Sequence, residues 1–436
     1  MKQLLDPLLE LLRIPSVSTG EGNPEALVAA ANWLSRYVRS ASGECSVIKT
    51  PRNPLVVGRL DANRPNAPKV LIYGHYDVQG AGPDDLWDSP PFEPTIRDDR
   101  LYARGASDNK GNFWPLLFAA CEMSRDGALP VEIRVFIEGE EEIGSASAIE
   151  WISENAGGSD CAIIFDSGSL DDSLPALTLG ARGIVQVKVE VRTGERDVHS
   201  GIYGGSVMNA LHVLSAMVAP LIPGPDGRVR EELRLGIEQI PISERESWPM
   251  LAPGSEVLSS CGARPLSPRS GEEYYERNWG DASLDVNWIQ GGDPRTVVPS
   301  VASAYLSLRL APGQRHREVG AEIERLLRSA APDGAEVIIE LQGVDAAAFD
   351  PESPPLEIAR RAIEAATGKE PLLIRMGGTL PILAPLADLG IPTIFSGFAV
   401  ADDAFHAPNE SYRLEALEFG YRTARELYTG LAELER

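Results

Sequence analysis

The feature that most constrains this 436-residue chain is a change of hydrophobic rhythm at Gly183. Before it, short β-rich apolar runs alternate with stretches whose apolar residues recur at helical spacing, the pattern of βαβ units around a mostly parallel sheet. Strands are predicted at Leu55–Leu60, Val70–Tyr76, Val131–Glu138 and Ala162–Asp166, and helices at Pro24–Ser40, Gly111–Arg125 and Ser145–Asn155. Pro115 is expected in the first turn of the second helix, where its missing N–H does no harm. After Gly183 the run IVQVKVEVRTG alternates strictly, as a strand with one solvated face does. A helix over Ser206–Ala219 follows, and the Pro-, Gly-, Ser- and charge-rich stretch from Pro220 to Asp281 reads as an irregular insertion. The strands SLDVNWIQ and ASAYLSLRLA, a helix Glu318–Ser329 and the strand AEVIIELQG complete a small α+β unit of ordinary domain size. Beyond Asp350 the α/β texture resumes: helix Pro355–Ala366, strand PLLIR, helix-like TLPILAPLADLG, strand PTIFSGF and a terminal helix from Leu414. The economical reading is an α/β domain at 1–182 and 347–436, with a mixed, mostly parallel sheet flanked by helices, interrupted by an α+β domain at 183–346.

Charge narrows the function. Lys and Arg number 40 against 64 Asp and Glu, a net charge of −24, whereas a nucleic-acid or anionic-membrane partner would require a concentrated basic surface. No window approaches the 18 apolar residues of a membrane span. The opening MKQLLDPLLELLRIPS carries Asp6, Glu10 and Arg13 within its apolar stretch, so an amphipathic helix is expected there in place of a signal peptide. Cys45, Cys121, Cys161 and Cys261 are scattered, without a CxxC pair, and read as reduced thiols. The expected location is the cytoplasm, with a small-molecule partner.

Five histidines occur, at 75, 199, 212, 316 and 406. His75 ends an apolar strand in VLIYGHYDVQ, with Asp77 two residues on; a period of two sets both side chains on one face, a geometry suited to a metal-ligating imidazole steadied by a carboxylate. Taken alone, a strand-end histidine satisfied by its neighbour is the simpler account. In LYARGASDNKGN, Asp108 follows a Gly-containing turn and opens a helix, where an isolated Asp would serve as an N-cap. Strand VEIRVFIEG runs into Glu140, Glu141 and Glu142, three carboxylates that repel one another unless cations or solvent intervene. Asp166 ends the run AIIFD, and His406 lies in DDAFHAPNES, after the late strand PTIFSGF. All fall where an α/β sheet presents its ligands, and imidazole with carboxylate suits zinc, cobalt or manganese more than calcium or magnesium. His212 and His316 read as a helix residue and a surface residue.

In GHYDV, LYARGASDNKG, EGEEEIGS, IIFDSG, RDVHSG, PSVASAYLSLRL and FHAPNES, in that order, the chain resembles the dinuclear zinc hydrolases. That family includes carnosine dipeptidase, acetylornithine deacetylase, aminoacylase and carboxypeptidase G. The insertion and the segments RDVHSGIYGG and SLDVNWIQGG are most similar to its dipeptidase branch. The resemblance implies that Asp108 bridges two zinc ions, His75 and Asp166 completing one ligand set, Glu142 and His406 the other. It makes Glu141 the general base acting on a metal-bridging water, Asp77 the partner of His75, and the Asp108–Asn109 peptide bond a cis candidate. It implies too that His199 on the inserted lid reaches a partner subunit's active site to stabilise the oxyanion, so that a homodimer forms through the lid domain. Arg309 resembles the arginine that grips the substrate carboxylate, with an outward-facing strand arginine as the plainer reading. Thr296, Gly377, Gly378 and Thr379 match substrate-contacting positions.

The activity this implies is zinc-dependent hydrolysis of amide bonds in dipeptides or short peptides with a free C-terminal carboxylate. Met376 stands where the dipeptidase branch often has a glutamate for a free amino group, and so favours N-acyl amino acid substrates as the alternative. A non-catalytic metal-binding scaffold would retain the ligands but has no use for Glu141.

Overall fold

The computed structural model describes residues 1–169 and 174–434. They divide into two compact units, Met1–Leu179, Phe349–Ile374 and Pro381–Arg436 in the first, Gly180–Ala348 and Arg375–Leu380 in the second. The short segment Arg375–Leu380 belongs with the second unit because its side chains are engaged there: Arg375 with Glu244, and Thr379 with the carbonyl of Arg182.

The sheet of the first unit runs, in order, Glu44–Ile48, Leu55–Leu60, Glu132–Glu138, Lys69–His75, Cys161–Phe165, Thr393–Gly397 and Ala176–Ala181. The three inner pairings are parallel and the flanking ones antiparallel. Cys161–Phe165 is buried throughout and Lys69–His75 nearly so. A strand screened from water on both sides needs an unbroken apolar run, and that is how these segments read in the sequence. Because the inner strands are parallel, His75, Glu138 and Phe165 end at the same edge, and the chain delivers its polar residues there.

Helix Pro24–Ser40 opens as its residues dictate, with Asn23 Oδ1 accepting from Ala26 N at 3.2 Å and Pro24 in the first position. The helix predicted from Gly111 starts at Lys110, after Asn109, so Pro115 lies inside it and not in its first turn. The proline is accommodated sideways: it packs on the helix Leu414–Leu431 at Gly420, where a Cβ would stand 2.9 Å from Pro115 Cγ.

The second unit holds a four-stranded antiparallel sheet in the order Ser283–Gly291, Val301–Leu310, Gly183–Arg192 and Glu336–Val344. Alternate residues Val185, Val187, Val189 and Val191 form its core with Leu214 and Met217 of helix Ala210–Val218 and Ile323 and Leu327 of helix His316–Ser329. The first of these helices is shorter than the predicted Ser206–Ala219, because Asn209 Oδ1 caps it by accepting from Leu211 N at 2.9 Å and His212 N at 3.3 Å. His212 is exposed on that helix, and His316 is tied to Asp345, its Nδ1 lying 2.6 Å from Oδ1. The 220–281 stretch is less irregular than predicted. It contains the helices Ile242–Ser247, Gly254–Ser260 and Tyr274–Trp279, each too short to leave a periodic signature. Contacts among Trp248, Tyr275 and Trp279 hold part of it together. Among the described residues no helix is long and apolar enough to cross a membrane.

Candidate metal centre

The site is built from strand ends and two loops of the first unit. His75, the last residue of its strand, is fully buried; its Nδ1 faces the carbonyl oxygen of Asp77 at 3.0 Å and Asp77 Oδ1 at 3.4 Å. That contact leaves Nε2 to face Asp108 Oδ1 at 3.0 Å and Asp166 Oδ1 at 3.8 Å. Asp108 does not cap the helix it precedes. Its second oxygen, Oδ2, lies 2.9 Å from Nε2 of His406, which in turn is 3.3 Å from Glu142 Oε2. Two groups able to hold a cation result, His75–Asp108–Asp166 and Asp108–Glu142–His406, sharing Asp108. The Asp108–Asn109 peptide bond is cis.

The three consecutive glutamates have separate tasks. Glu140 is fully buried and turned away, accepting from Thr50 Oγ1 at 3.0 Å, Asn53 N at 3.1 Å and Ser147 N at 3.1 Å. Glu142 enters the second group, its Oε2 also accepting from Gln79 Nε2 at 2.7 Å. Its other oxygen, Oε1, is buried and has no hydrogen-bond partner among the described residues. Glu141 stands between, and its carboxylate accepts no hydrogen bond from a described residue. Asp77 anchors this turn by accepting from the backbone N–H groups of Glu141 and Glu142 at 3.3 and 3.2 Å and from Ser18 Oγ at 2.7 Å.

Crowding these groups in little water perturbs several of them. Burial drives Glu141 well above the carboxylate range, His75 opposing and Asp166, Glu142 and Asp108 adding to the rise. Asp166 is likewise raised by burial against the pull of His75. Burial also works against a charged His75, but Asp166, Asp108 and Asp77 outweigh it and hold the imidazole well above its usual value. Hydrogen bonds to Asp108 and Glu142 raise His406 to about 10. Asp108 is held low despite burial by the two histidines. A divalent ion in each group would supply the positive charge that these carboxylates need. The donor set of imidazole nitrogens and carboxylates, with the orphaned Glu142 Oε1, fits two such ions of the zinc, cobalt or manganese type.

The remaining predicted site residues lie in the second unit. His199 is exposed, and its Nδ1 accepts from Gly201 N at 3.0 Å. It pairs with Val297, beside Thr296, whose carbonyl accepts from Ser200 N at 2.9 Å. Arg309 is half-buried and donates from Nη1 to Thr379 Oγ1 at 3.0 Å; Gly378 adjoins Thr379. The structure thus brings together His75, Asp77, Asp108, Glu141, Glu142, Asp166 and His406 in one unit, and Arg309 with Thr379 in the other.

A model of peptidase family M20/M25/M40 matches residues 71–429. The chain belongs to this family. The peptidase is 29% identical to a Beta-Ala-His dipeptidase of Rattus norvegicus over 382 residues, 83% of this chain and 76% of the relative. It is also 29% identical to a Cysteinylglycine-S-conjugate dipeptidase of Corynebacterium striatum over 367 residues, 79% and 77% of the two chains. Its structure matches that of an M20 family metallo-carboxypeptidase from Sulfolobus solfataricus with a TM-score of 0.88 at 27% identity, over all of both chains. The family resemblance read from the motifs is therefore correct, and the protein is a metal-dependent peptidase.

Several residues that position this peptidase's centre escaped sequence reasoning. Asn109 Nδ2 donates to Asp166 Oδ1 at 2.5 Å and to the Phe165 carbonyl at 2.7 Å, while its Oδ1 accepts from His75 N at 3.3 Å, tying both strand ends to the Asp108 loop. Glu410, fully buried, accepts from the N–H groups of Gly105, Ser107 and Asp108 at 2.8, 2.8 and 3.0 Å and from Arg104 Nη1 at 2.7 Å. Their one sequence signal is membership of the motifs ASDNKG and FHAPNES, which name a neighbourhood without saying which residue does what.

Proposed function

We propose that this peptidase hydrolyses the amide bond of dipeptides and other short peptides bearing a free C-terminal carboxylate, using two zinc ions for which cobalt or manganese can substitute. The observation that carries this reading is the placing of Asp108, one oxygen toward His75 and the other toward His406, with the carboxylate of Glu141, which accepts no hydrogen bond from a described residue, in the field of the same groups. In this reading Asp108 would be shared by the two ions, with His75 and Asp166 completing one ligand set and Glu142 and His406 the other. When bound, such a pair acidifies water and polarises the scissile carbonyl.

The chain's own groups do the rest. Glu141 takes a proton from the attacking water and delivers it to the leaving nitrogen, so the carbonyl carbon gains the hydroxyl as the C–N bond breaks and the amine departs neutral. Burial raises the Glu141 carboxyl and so makes its carboxylate a stronger proton acceptor. Asp77, through its carbonyl and carboxylate oxygens, keeps His75 Nε2 aimed at the centre. Arg309, with Thr296, Gly378 and Thr379, receives the substrate carboxylate, a task suited to a guanidinium fork.

The first unit is the catalytic domain in this proposal, and the second is a lid and dimerisation domain. His199 from a partner subunit donates to the tetrahedral oxyanion. Because its Nδ1 accepts from Gly201 N, the neutral ring carries its proton on Nε2, as a donor must. The edge strand Ser283–Gly291 exposes Val286, Trp288 and Ile289, which supports burial against a second copy. All four cysteines are unpaired and three are buried, in keeping with a reducing cytoplasm.

Met376 favours a second reading, N-acyl amino acid deacylation by the same centre, since an apolar side chain offers nothing to an ammonium group. The test is mass-spectrometric detection of products from a mixed panel of dipeptides and N-acetyl amino acids, with zinc and with chelator. Chelator-sensitive cleavage of free dipeptides is expected; cleavage of acylated compounds alone establishes the deacylase reading, and no cleavage of either refutes both.

A further inference from the structure

Arg182, near the start of the second unit, is only 8% exposed. Among the described residues no carboxylate stands within ion-pair distance of it, whereas two other buried arginines have one: Arg104 pairs with Glu410 and Arg375 with Glu244. Its contacts are neutral. Nη1 donates to Ser283 Oγ at 3.2 Å and Nε to the Gly377 carbonyl at 3.3 Å. The carboxylates nearest in effect lie beyond contact: Asp281 is engaged by Arg234 and Arg228, and Asp285 acts at longer range.

Those neutral contacts lead directly to Arg309. Ser283 sits opposite Arg309 in the strand register. Thr379 Oγ1 accepts from Arg309 Nη1 at 3.0 Å and donates to the Arg182 carbonyl at 2.7 Å. A Cβ on Gly377 would stand 3.9 Å from Arg182 Nη2, so no side chain comes between that nitrogen and the Gly377–Thr379 loop. Two guanidinium groups therefore converge on one loop, and among the described residues neither has an ion-paired carboxylate there. Burial, with Arg309 adding to it, lowers Arg182 to about 10. Withholding solvent from two like charges is unfavourable unless an anion joins them.

We infer that Arg182 is a second guanidinium of the substrate-carboxylate subsite, closing with Arg309 and Thr379 around the C-terminal carboxylate. This rests on the reading of Arg309 given above. An extended fork-to-carboxylate contact from two arginines demands an unblocked C-terminus more strictly than one arginine can. The subsite consequently selects peptides with a free terminal carboxylate over their amides, and it retains the amino acid product by the same contact.

The experiment compares kcat/KM of the metal-loaded enzyme for a cleaved dipeptide and for its C-terminal amide, in wild type, Arg182→Met and Arg309→Met. Loss of a charge-assisted contact is expected to lower kcat/KM for the free acid by about ten- to a hundredfold, mainly through KM, and to leave the amide nearly unchanged. A parallel fall for acid and amide, or no fall, overturns the assignment of Arg182. If Arg309→Met leaves the acid-to-amide ratio intact, the Arg309 reading itself fails; if it collapses the ratio while Arg182→Met does not, Arg182 alone is wrong. Should Arg182→Met fail to fold, Arg182→Lys keeps the charge but not the fork. Weaker inhibition of that variant by the free amino acid product is then expected, and unchanged inhibition overturns the inference.

Discussion

Replacing Glu410 by Gln should loosen the loop that carries Asp108. The wild-type carboxylate is fully buried and serves four donors: Oε2 accepts from Arg104 Nη1 at 2.7 Å and Gly105 N at 2.8 Å, Oε1 from Ser107 N at 2.8 Å and Asp108 N at 3.0 Å. An amide has one acceptor oxygen, so in either orientation two of these donors face an NH2 group, and buried Arg104 loses its counter-charge. Hydrogen bonds to a charged group contribute about 1.5–3 kcal/mol each, and breaking one side of a buried pair costs about 3–5 kcal/mol. The two figures describe the same atoms and do not add, so the expected loss is about 3–5 kcal/mol. Urea unfolding in the presence of chelator reads that loss free of metal binding, and hydrogen exchange over residues 100–112 reads the loop directly. Because Asp108 N is one of the four donors, metal affinity should fall about ten- to a hundredfold, the range for groups that orient ligands without touching the ion. A destabilisation below about 1 kcal/mol, with unchanged exchange and metal titration, would refute the role given to Glu410.

Two further outcomes concern single groups. Glu141→Ala should reduce kcat by about a hundredfold or more while bound metal, measured by inductively coupled plasma mass spectrometry, stays at the wild-type level; undiminished turnover removes Glu141 as the base. Lys110, whose Nζ donates to the carbonyls of Leu11 and Ile14 at 3.1 and 2.8 Å, is lowered to about 7 by burial, against the opposing influence of Glu410 and Asp77. In the unfolded chain its pKa returns to about 10.4, so between those values the unfolded state holds a proton that the folded state has lost, and stability rises with pH across that window. Lys110→Met should abolish this contribution: the stability of wild type relative to the variant, followed by urea titration with chelator from pH 7 to 10, should climb with pH, and a flat difference would contradict the assignment.

The sequence by itself determined which segments become strands and which residues those strands deliver. A run such as CAIIFD has no polar position at which to turn outward, so it can be stable only inside a sheet, and Asp166 must then emerge at its end; the same holds for VLIYGH and His75. The switch to strict alternation at Gly183 likewise marks an antiparallel sheet with one wet face, as the pattern of buried Val185, Val187, Val189 and Val191 shows. Tertiary structure alone decided how distant residues are paired. Which of three adjacent glutamates turns into the loop and which stay at the centre depends on Thr50, Asn53 and Asp77, residues that no local periodicity links to them. The two oxygens of Asp108 meet His75 and His406 only because a late loop folds back, held by Glu410 on the N–H groups of the Asp108 loop. Helix and strand patterns record which side of a segment avoids water, a local property of spacing. A buried carboxylate or guanidinium instead finds its partners among donors and charges brought near by the whole fold, and that information is absent from any one stretch of sequence.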